Sequence, residues 1–191
     1  MRTPITWLFP ALVASLVLSI GGVAPASAAP EIEDYAHYQP ATRCQPVAKL
    51  GTVLLGRFLV RRYGGSFGGI SRGCAGSTSE HTEGRAFDWS LDARSQRGQR
   101  VARAFLSDLF ATDRWGNDHA LARRMGVMYV IWDDHMYAAW DRFERERYLS
   151  SGCRSRKRCS ASQRHLNHIH VSLTRQAARG QTSWYLARLI S

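Results

Sequence analysis

The chain has 191 residues, of which 45% are hydrophobic and 21% charged, and 26 Lys and Arg against 15 Asp and Glu give a formal net charge of +11. That size and balance fit one compact domain and exclude a disordered, collagen-like or multi-domain polypeptide. The positive charge favours anionic partners such as cell-wall polymers, lipid headgroups or nucleic acid, without choosing among them.

Arg2 precedes an apolar run over residues 8–20, followed by Ala26-Ser27-Ala28, the A-x-A pattern after which signal peptidase cuts. The run is short of the roughly 20 residues a helix needs to cross a bilayer, so residues 1–28 read as a secretory signal peptide. Removing them leaves 25 basic and 15 acidic side chains, a net charge of +10. Residues 29–45 are rich in Pro, Ala and Tyr and lack apolar periodicity, which predicts an extended arm tied down only at Cys44.

Residues 46–191 read as a single catalytic-type domain. Pro46 suits a first helical turn, Val47, Leu50, Leu54 and Phe58 recur at helical spacing, and Gly64 and Gly65 stop the helix. The Gly-rich stretch 64–76 predicts a turn and a short strand. Over residues 85–91, Ala86, Asp88 and Ser90 alternate with Phe87, Trp89 and Leu91, which predicts a strand with two unlike faces. A second helix is expected over 95–110, with Val101, Phe105, Leu106 and Leu109 on one side and Arg97, Arg100 and Arg103 on the other. A shorter helix is expected over 118–125, and a β-hairpin over 127–140 that turns at Asp133-Asp134. Residues 150–163 read as a polar loop, 167–173 as a strand and 184–190 as part of a final helix. The fold class is therefore α+β, a small antiparallel sheet flanked by helices.

Cys44, Cys74, Cys153 and Cys159 follow the cleavage site, and an even number in an oxidising compartment argues for disulfides. Three pairings are possible. Cys44 with Cys74 and Cys153 with Cys159 are favoured, because the first pins the arm to the body and the second closes a short basic loop. A cysteine zinc site is disfavoured by the lack of any C-x-x-C spacing. The run Arg154, Arg156, Lys157 and Arg158 inside that loop reads either as a solvated loop or as a contact for an anionic polymer.

The period of two places Asp88 on the face of its strand opposite to Phe87 and Trp89, and His168 and His170 opposite to Ile169, Val171 and Leu173. If the apolar faces share one core, Asp88, His168 and His170 converge on the other side of one sheet. His81 lies seven residues before Asp88, and a turn at Gly84 can bring its imidazole back to the carboxylate. Two imidazoles and one carboxylate are the usual ligand set of a catalytic Zn²⁺ with an open position. Such an ion lowers the pKa of coordinated water from about 15.7 toward about 7. His168 is the natural proton carrier beside it, and His165 a supporting donor.

The pattern S-x-H-x-x-G-x-A-x-D at Ser79, His81, Gly84, Ala86 and Asp88, with the distal His168-Ile169-His170, resembles the lysostaphin, D-Ala-D-Ala carboxypeptidase and hedgehog group of zinc peptidases. The resemblance implies a small antiparallel sheet with flanking helices and a zinc site. It gives His81, Asp88 and His170 the places of the metal ligands, His168 that of the first His of an H-x-H pair, and Ser79 a supporting position. Arg72 falls where carboxypeptidases of the group have a substrate-contacting arginine. Many of those carboxypeptidases place a Glu base three residues before the last ligand, where this chain has Asn167; the sequence better matches members that use histidines at the places of His165 and His168. More broadly, the arm with Cys44, the stretch around Cys74, the block at residues 79–89 and the H-x-H ending look like a secreted domain of wall-associated bacterial proteins.

The leading expectation is a secreted zinc peptidase, monomeric, acting in the cell wall on an amide bond of peptidoglycan peptides, with peptidoglycan or another anionic wall polymer as its partner. A wall-binding domain that keeps the metal site without catalysis is the alternative. A metal-dependent nuclease, suggested by the charge and by His165, Asn167 and His168, is disfavoured because those residues lack the expected His-Asn-His spacing.

Overall fold

A computed structural model describes residues 31–76 and 78–189; the expected signal peptide at 1–28 lies outside them. The elements in chain order are α1 (Leu50–Tyr63), β1 (Ser66–Gly69), β2 (Ala86–Ser90), α2 (Gln96–Phe110), α3 (Ala120–Arg124), β3 (Val127–Trp132), β4 (His135–Ala138), β5 (Arg145–Arg147), β6 (His168–Leu173), α4 (Arg175–Ala178) and α5 (Ser183–Leu189), with short 3₁₀ turns at Glu80–Glu83, Ala139–Asp141 and Arg156–Arg158. The strands form one sheet in the order β1-β2-β6-β3-β4-β5, antiparallel throughout.

Alternation along β2 and β6 decides which way the sheet faces. Phe87, Trp89, Ile169, Val171 and Leu173 are fully buried in the main core with Leu55 and Leu59 of α1 and Phe105 and Leu109 of α2. Burying side chains of this size stabilises by roughly 1.5–3 kcal/mol each before chain entropy is charged against it. Trp89 is also fixed by its indole N–H, which donates to the Gly64 carbonyl at 2.9 Å. Ser95 caps α2 by accepting from the Gly98 N–H at 2.9 Å, where an Ala cap would cost about 1 kcal/mol. At the β3–β4 turn Asp133 and Asp134 both have positive φ, the geometry a two-residue hairpin needs.

Three expectations need correction. Helix α1 starts at Leu50 rather than at Pro46, because the preceding backbone is already engaged: the Gln45 N–H donates to Thr82 O at 2.7 Å and the Lys49 N–H to Gly84 O at 3.1 Å. Val47 and Leu50, which recur at helical spacing with Leu54 and Phe58, are 66% and 54% exposed, and the helix buries Gly51, Thr52, Leu55, Gly56 and Leu59. The arm is extended but is fastened along its length, not only at Cys44. The Glu33 carboxylate accepts from the Ser183 N–H and hydroxyl, Tyr35 Oη lies 2.8 Å from His119 Nδ1, and the Thr42 and Arg43 N–H groups donate to Glu83. Finally, the Arg-Glu-Arg strand β5 went unpredicted, since all three side chains are exposed and no apolar alternation marks it.

Both favoured disulfides form, Cys44–Cys74 and Cys153–Cys159. Among the described residues no helix is long and apolar enough to cross a membrane.

Candidate metal centre

His81 sits on the 3₁₀ turn Glu80–Glu83. Ser79 opens that turn through its main chain: its N–H donates to Thr82 Oγ1 at 3.1 Å, and its carbonyl accepts from the same hydroxyl at 2.8 Å. Gly84 closes it with φ +67°, and a Cβ there would lie 1.9 Å from Val47 O, so both conformation and space require glycine. The next residues enter β2, whose Asp88 pairs across the ladder with His170 on β6, while Ser90 pairs with His168. A tight turn and one register thus bring residues far apart in the chain to a single point.

His81 Nε2 lies 3.1 Å from Asp88 Oδ1 and 3.1 Å from His170 Nδ1, which is itself 3.1 Å from Asp88 Oδ1. Among the described residues, His81, Asp88 and His170 form the group able to hold a metal ion. The far side of each imidazole is occupied. His81 Nδ1 lies 2.7 Å from the Ile70 carbonyl, which can only accept, so this nitrogen carries the proton. His170 Nε2 lies 2.9 Å from the Ser172 hydroxyl. With protons on those outer nitrogens, two nitrogen lone pairs and a carboxylate oxygen aim at one another. Three Lewis bases at this spacing fit a shared cation, and outer hydrogen bonds of this kind commonly orient metal-binding histidines.

Burial alone would raise the Asp88 carboxyl, but the His170 and His81 imidazoles beside it outweigh burial and hold the group well below the ordinary carboxylate range. Arg72 adds a contact at 2.7 Å to Asp88 Oδ2. Burial favours the neutral imidazole at His170.

His168 and His165 flank the cluster. His168 Nε2 is 3.5 Å from Asp88 Oδ1, and its Nδ1 lies 2.8 Å from Asn167 Oδ1. Burial lowers His168 to about 4, with the His170 and Arg72 charges adding to the shift against the pull of Asp88. Burial likewise brings His165 down to about 3, assisted by His170 and His168. Its ring centroid is 4.7 Å from that of His168 and 5.7 Å from that of His170, and its Nδ1 is buried without a hydrogen-bond partner among the described residues.

The structure therefore brings the expected ligands His81, Asp88 and His170 together, with His168, His165 and Arg72 beside them. It also shows supports that the sequence reading missed. Ser172 lies two residues after His170 on the same strand face, so the period of two could have disclosed it. The Tyr129 ring stacks on His170 at 5.5 Å and 17°, and its hydroxyl donates to Glu80 Oε2 at 2.9 Å and hydrogen-bonds Ser172. Those contacts depend on the β3–β6 register, which pairs Tyr129 with Ser172.

The fold and site define an α+β domain with a His-Asp-His group that could hold a metal ion on one sheet face. The chain belongs to the family described as VldE, C-terminal domain, whose model matches residues 45–165. That span contains His81 and Asp88 and ends before His168 and His170. No curated protein and no solved structure matches the chain.

Proposed function

We propose that this domain is a secreted zinc peptidase that hydrolyses an amide bond in peptidoglycan peptides. The observation that carries the reading is the convergence of His81 Nε2, His170 Nδ1 and Asp88 Oδ1 with their outer nitrogens already bonded. Two neutral imidazoles and one carboxylate suit Zn²⁺. The bound ion would supply Lewis-acid activation of water and polarisation of the scissile carbonyl. The remaining work falls to this chain's own groups. Asn167 Oδ1 holds the proton on His168 Nδ1, which leaves His168 Nε2, on the Asp88 side, as the atom to take a proton from the attacking water and return it to the leaving amine. The buried His165 imidazole stands next to it and shields that exchange from bulk water. The S-x-H-x-x-G-x-A-x-D pattern, the resemblance it carries and the signal-like N-terminus support the substrate class and the secreted, cell-wall location.

Metal analysis of the purified protein, followed by mass spectrometry of digested muropeptides, tests ion and bond together. About one zinc per chain and turnover abolished by chelator or by His170→Ala are expected. His168→Ala should retain the metal and lose turnover. Muropeptide cleavage that survives chelation overturns the mechanism.

One observation favours a second reading, a wall-binding domain without catalysis: Asn167 occupies the place where carboxypeptidases of the resembling group carry a Glu base. Sedimentation with insoluble sacculi, without release of fragments, would decide for it.

A further inference from the structure

A cavity of about 580 Å³ lies on the other side of the turn that carries His81, lined by Thr42, Gln45, Glu83 and Ala178 together with five basic side chains, Arg43, Lys49, Arg85, Arg175 and Arg179. The cations come from separate segments. Arg43 is on the arm beside the Cys44–Cys74 disulfide, Lys49 precedes α1, Arg85 precedes β2, and Arg175 and Arg179 begin and follow α4. Two carboxylates answer them, Glu83 in the lining and Glu80 behind it, 3.6 Å from Arg85. Glu83 accepts from Arg85 Nε at 2.5 Å and from Arg175 at 3.3 Å. Five positive charges therefore face two negative ones, and the three cations Arg43, Lys49 and Arg179 are left unpaired by any carboxylate among the described residues.

Gathering uncompensated cations in a concave site raises its potential and costs self-repulsion unless an anion offsets it. We infer that this cavity binds a phosphate-bearing anion. A carboxylate offers one charge in one plane, whereas a phosphate offers up to two and presents oxygens in several directions. That shape suits guanidinium forks converging from the arm and from α4. The volume falls in the range of small-ligand sites and exceeds what a single phosphate fills, so the ligand is larger, with two or more phosphates or a phosphate joined to an organic body. Thr42 and Gln45 supply neutral polar contacts. The inference is independent of the metal centre, because Glu83 and His81 leave the same turn toward different neighbours.

The test is calorimetric titration of the full chain with inorganic pyrophosphate at fixed ionic strength, alongside co-sedimentation with vesicles of phosphatidylcholine containing phosphatidic acid. The double variant Lys49→Gln and Arg179→Gln should lose tenfold or more in pyrophosphate affinity. Arg154→Gln with Arg158→Gln, in the remote disulfide loop, should lose less than twofold. Vesicle binding lost in the first variant alone identifies a lipid headgroup as the source of the phosphate; pyrophosphate binding without vesicle binding identifies a soluble one. Equal losses in both variants would show only the general basic surface at work, and no measurable pyrophosphate binding would show no site; either overturns the inference. Because Lys49 and Arg179 make no ion pair, circular dichroism should show both variants folded, and Arg43→Gln provides a third, separately placed probe.

Discussion

Ser172 offers the sharpest test of the metal centre, because it touches neither the expected ion position nor Asp88. Its hydroxyl sits 2.9 Å from His170 Nε2 in a fully buried position. Ser172→Ala removes that partner with a side chain of nearly the same volume, so packing is kept and the imidazole is left with an unanswered nitrogen. Two costs follow. Losing an outer hydrogen bond of this kind typically weakens metal binding 10–100-fold, about 1.4–2.7 kcal/mol. The metal-free protein also loses roughly 1 kcal/mol for each of the two missing hydrogen bonds, to His170 and to Tyr129, more where the nitrogen stays buried and unsatisfied. The two separate experimentally: urea unfolding of the metal-free protein gives the second, and competition for zinc against a chromophoric chelator gives the first. Ser172→Ala should shift the zinc dissociation constant upward by one to two decades while stoichiometry stays near one. Unchanged zinc affinity in Ser172→Ala, beside a normal loss in His170→Ala, would refute the orientation argued for His170.

Other consequences can be measured directly. Burial acts to raise the Glu83 carboxyl, but hydrogen bonds from Arg85, the Thr42 N–H and Arg175 bring it from 4.5 down to about 2. Since its folded value is the lower one, Glu83 contributes stability that is complete above about pH 4.5 and is lost as pH falls through about 2. The shift is worth up to about 3 kcal/mol, reduced by the water in the adjoining cavity, and urea unfolding of Glu83→Gln across this range should flatten the acid limb. In the chain-entropy account, losing Cys44–Cys74, with 30 residues of separation, should cost about 4 kcal/mol, and losing Cys153–Cys159, with 6, about 2 kcal/mol, so thermal unfolding of the paired Cys→Ser variants should rank them in that order. Gly84→Ala adds a methyl against Val47 O and a side chain at positive φ, so it should cost at least roughly 1–3 kcal/mol and weaken zinc binding by displacing the His81 turn.

The part of the site built on strands was legible because a strand has a period of two: Asp88 among Phe87 and Trp89, and His168 and His170 among Ile169, Val171 and Leu173, announce both the core face and the face opposite. The turn carrying His81 was legible through Gly84, whose conformational freedom is visible in the sequence as a residue type. What remained hidden depends on which strand lies beside which. Tyr129 reaches His170 and Ser172 only because β3 pairs with β6, and nothing local in residues 127–132 states that pairing. Helix α1 was misplaced for a related reason: Val47 and Leu50 fit the helical spacing, but the bonds from Gln45 and Lys49 to the His81 turn claim the backbone first.

The charged residues around that turn explain why so exposed-looking a sequence as Glu-His-Thr-Glu-Gly-Arg is buried. Glu80, His81, Thr82, Glu83 and Arg85 are all under 9% exposed. Buried carboxylates and a buried guanidinium are expensive to desolvate, and their mutual attraction rarely yields net stability. Here the geometry answers nearly every polar atom. Arg85 bonds Glu83, the Leu173 and Gln39 carbonyls and lies 3.6 Å from Glu80, while Glu80 takes the Tyr129 hydroxyl. Apolar packing would leave a short 3₁₀ turn free to slide along its surface, whereas this network ties it to the arm, to β3 and to the end of β6 at once. The contacts from Tyr129 to Ser172 and from Ser172 to His170 then join the two ligands through their supports as well as at the ion position. On this reasoning the buried charges serve to fix where His81 stands relative to His170, and their cost is borne by the main core beneath the sheet.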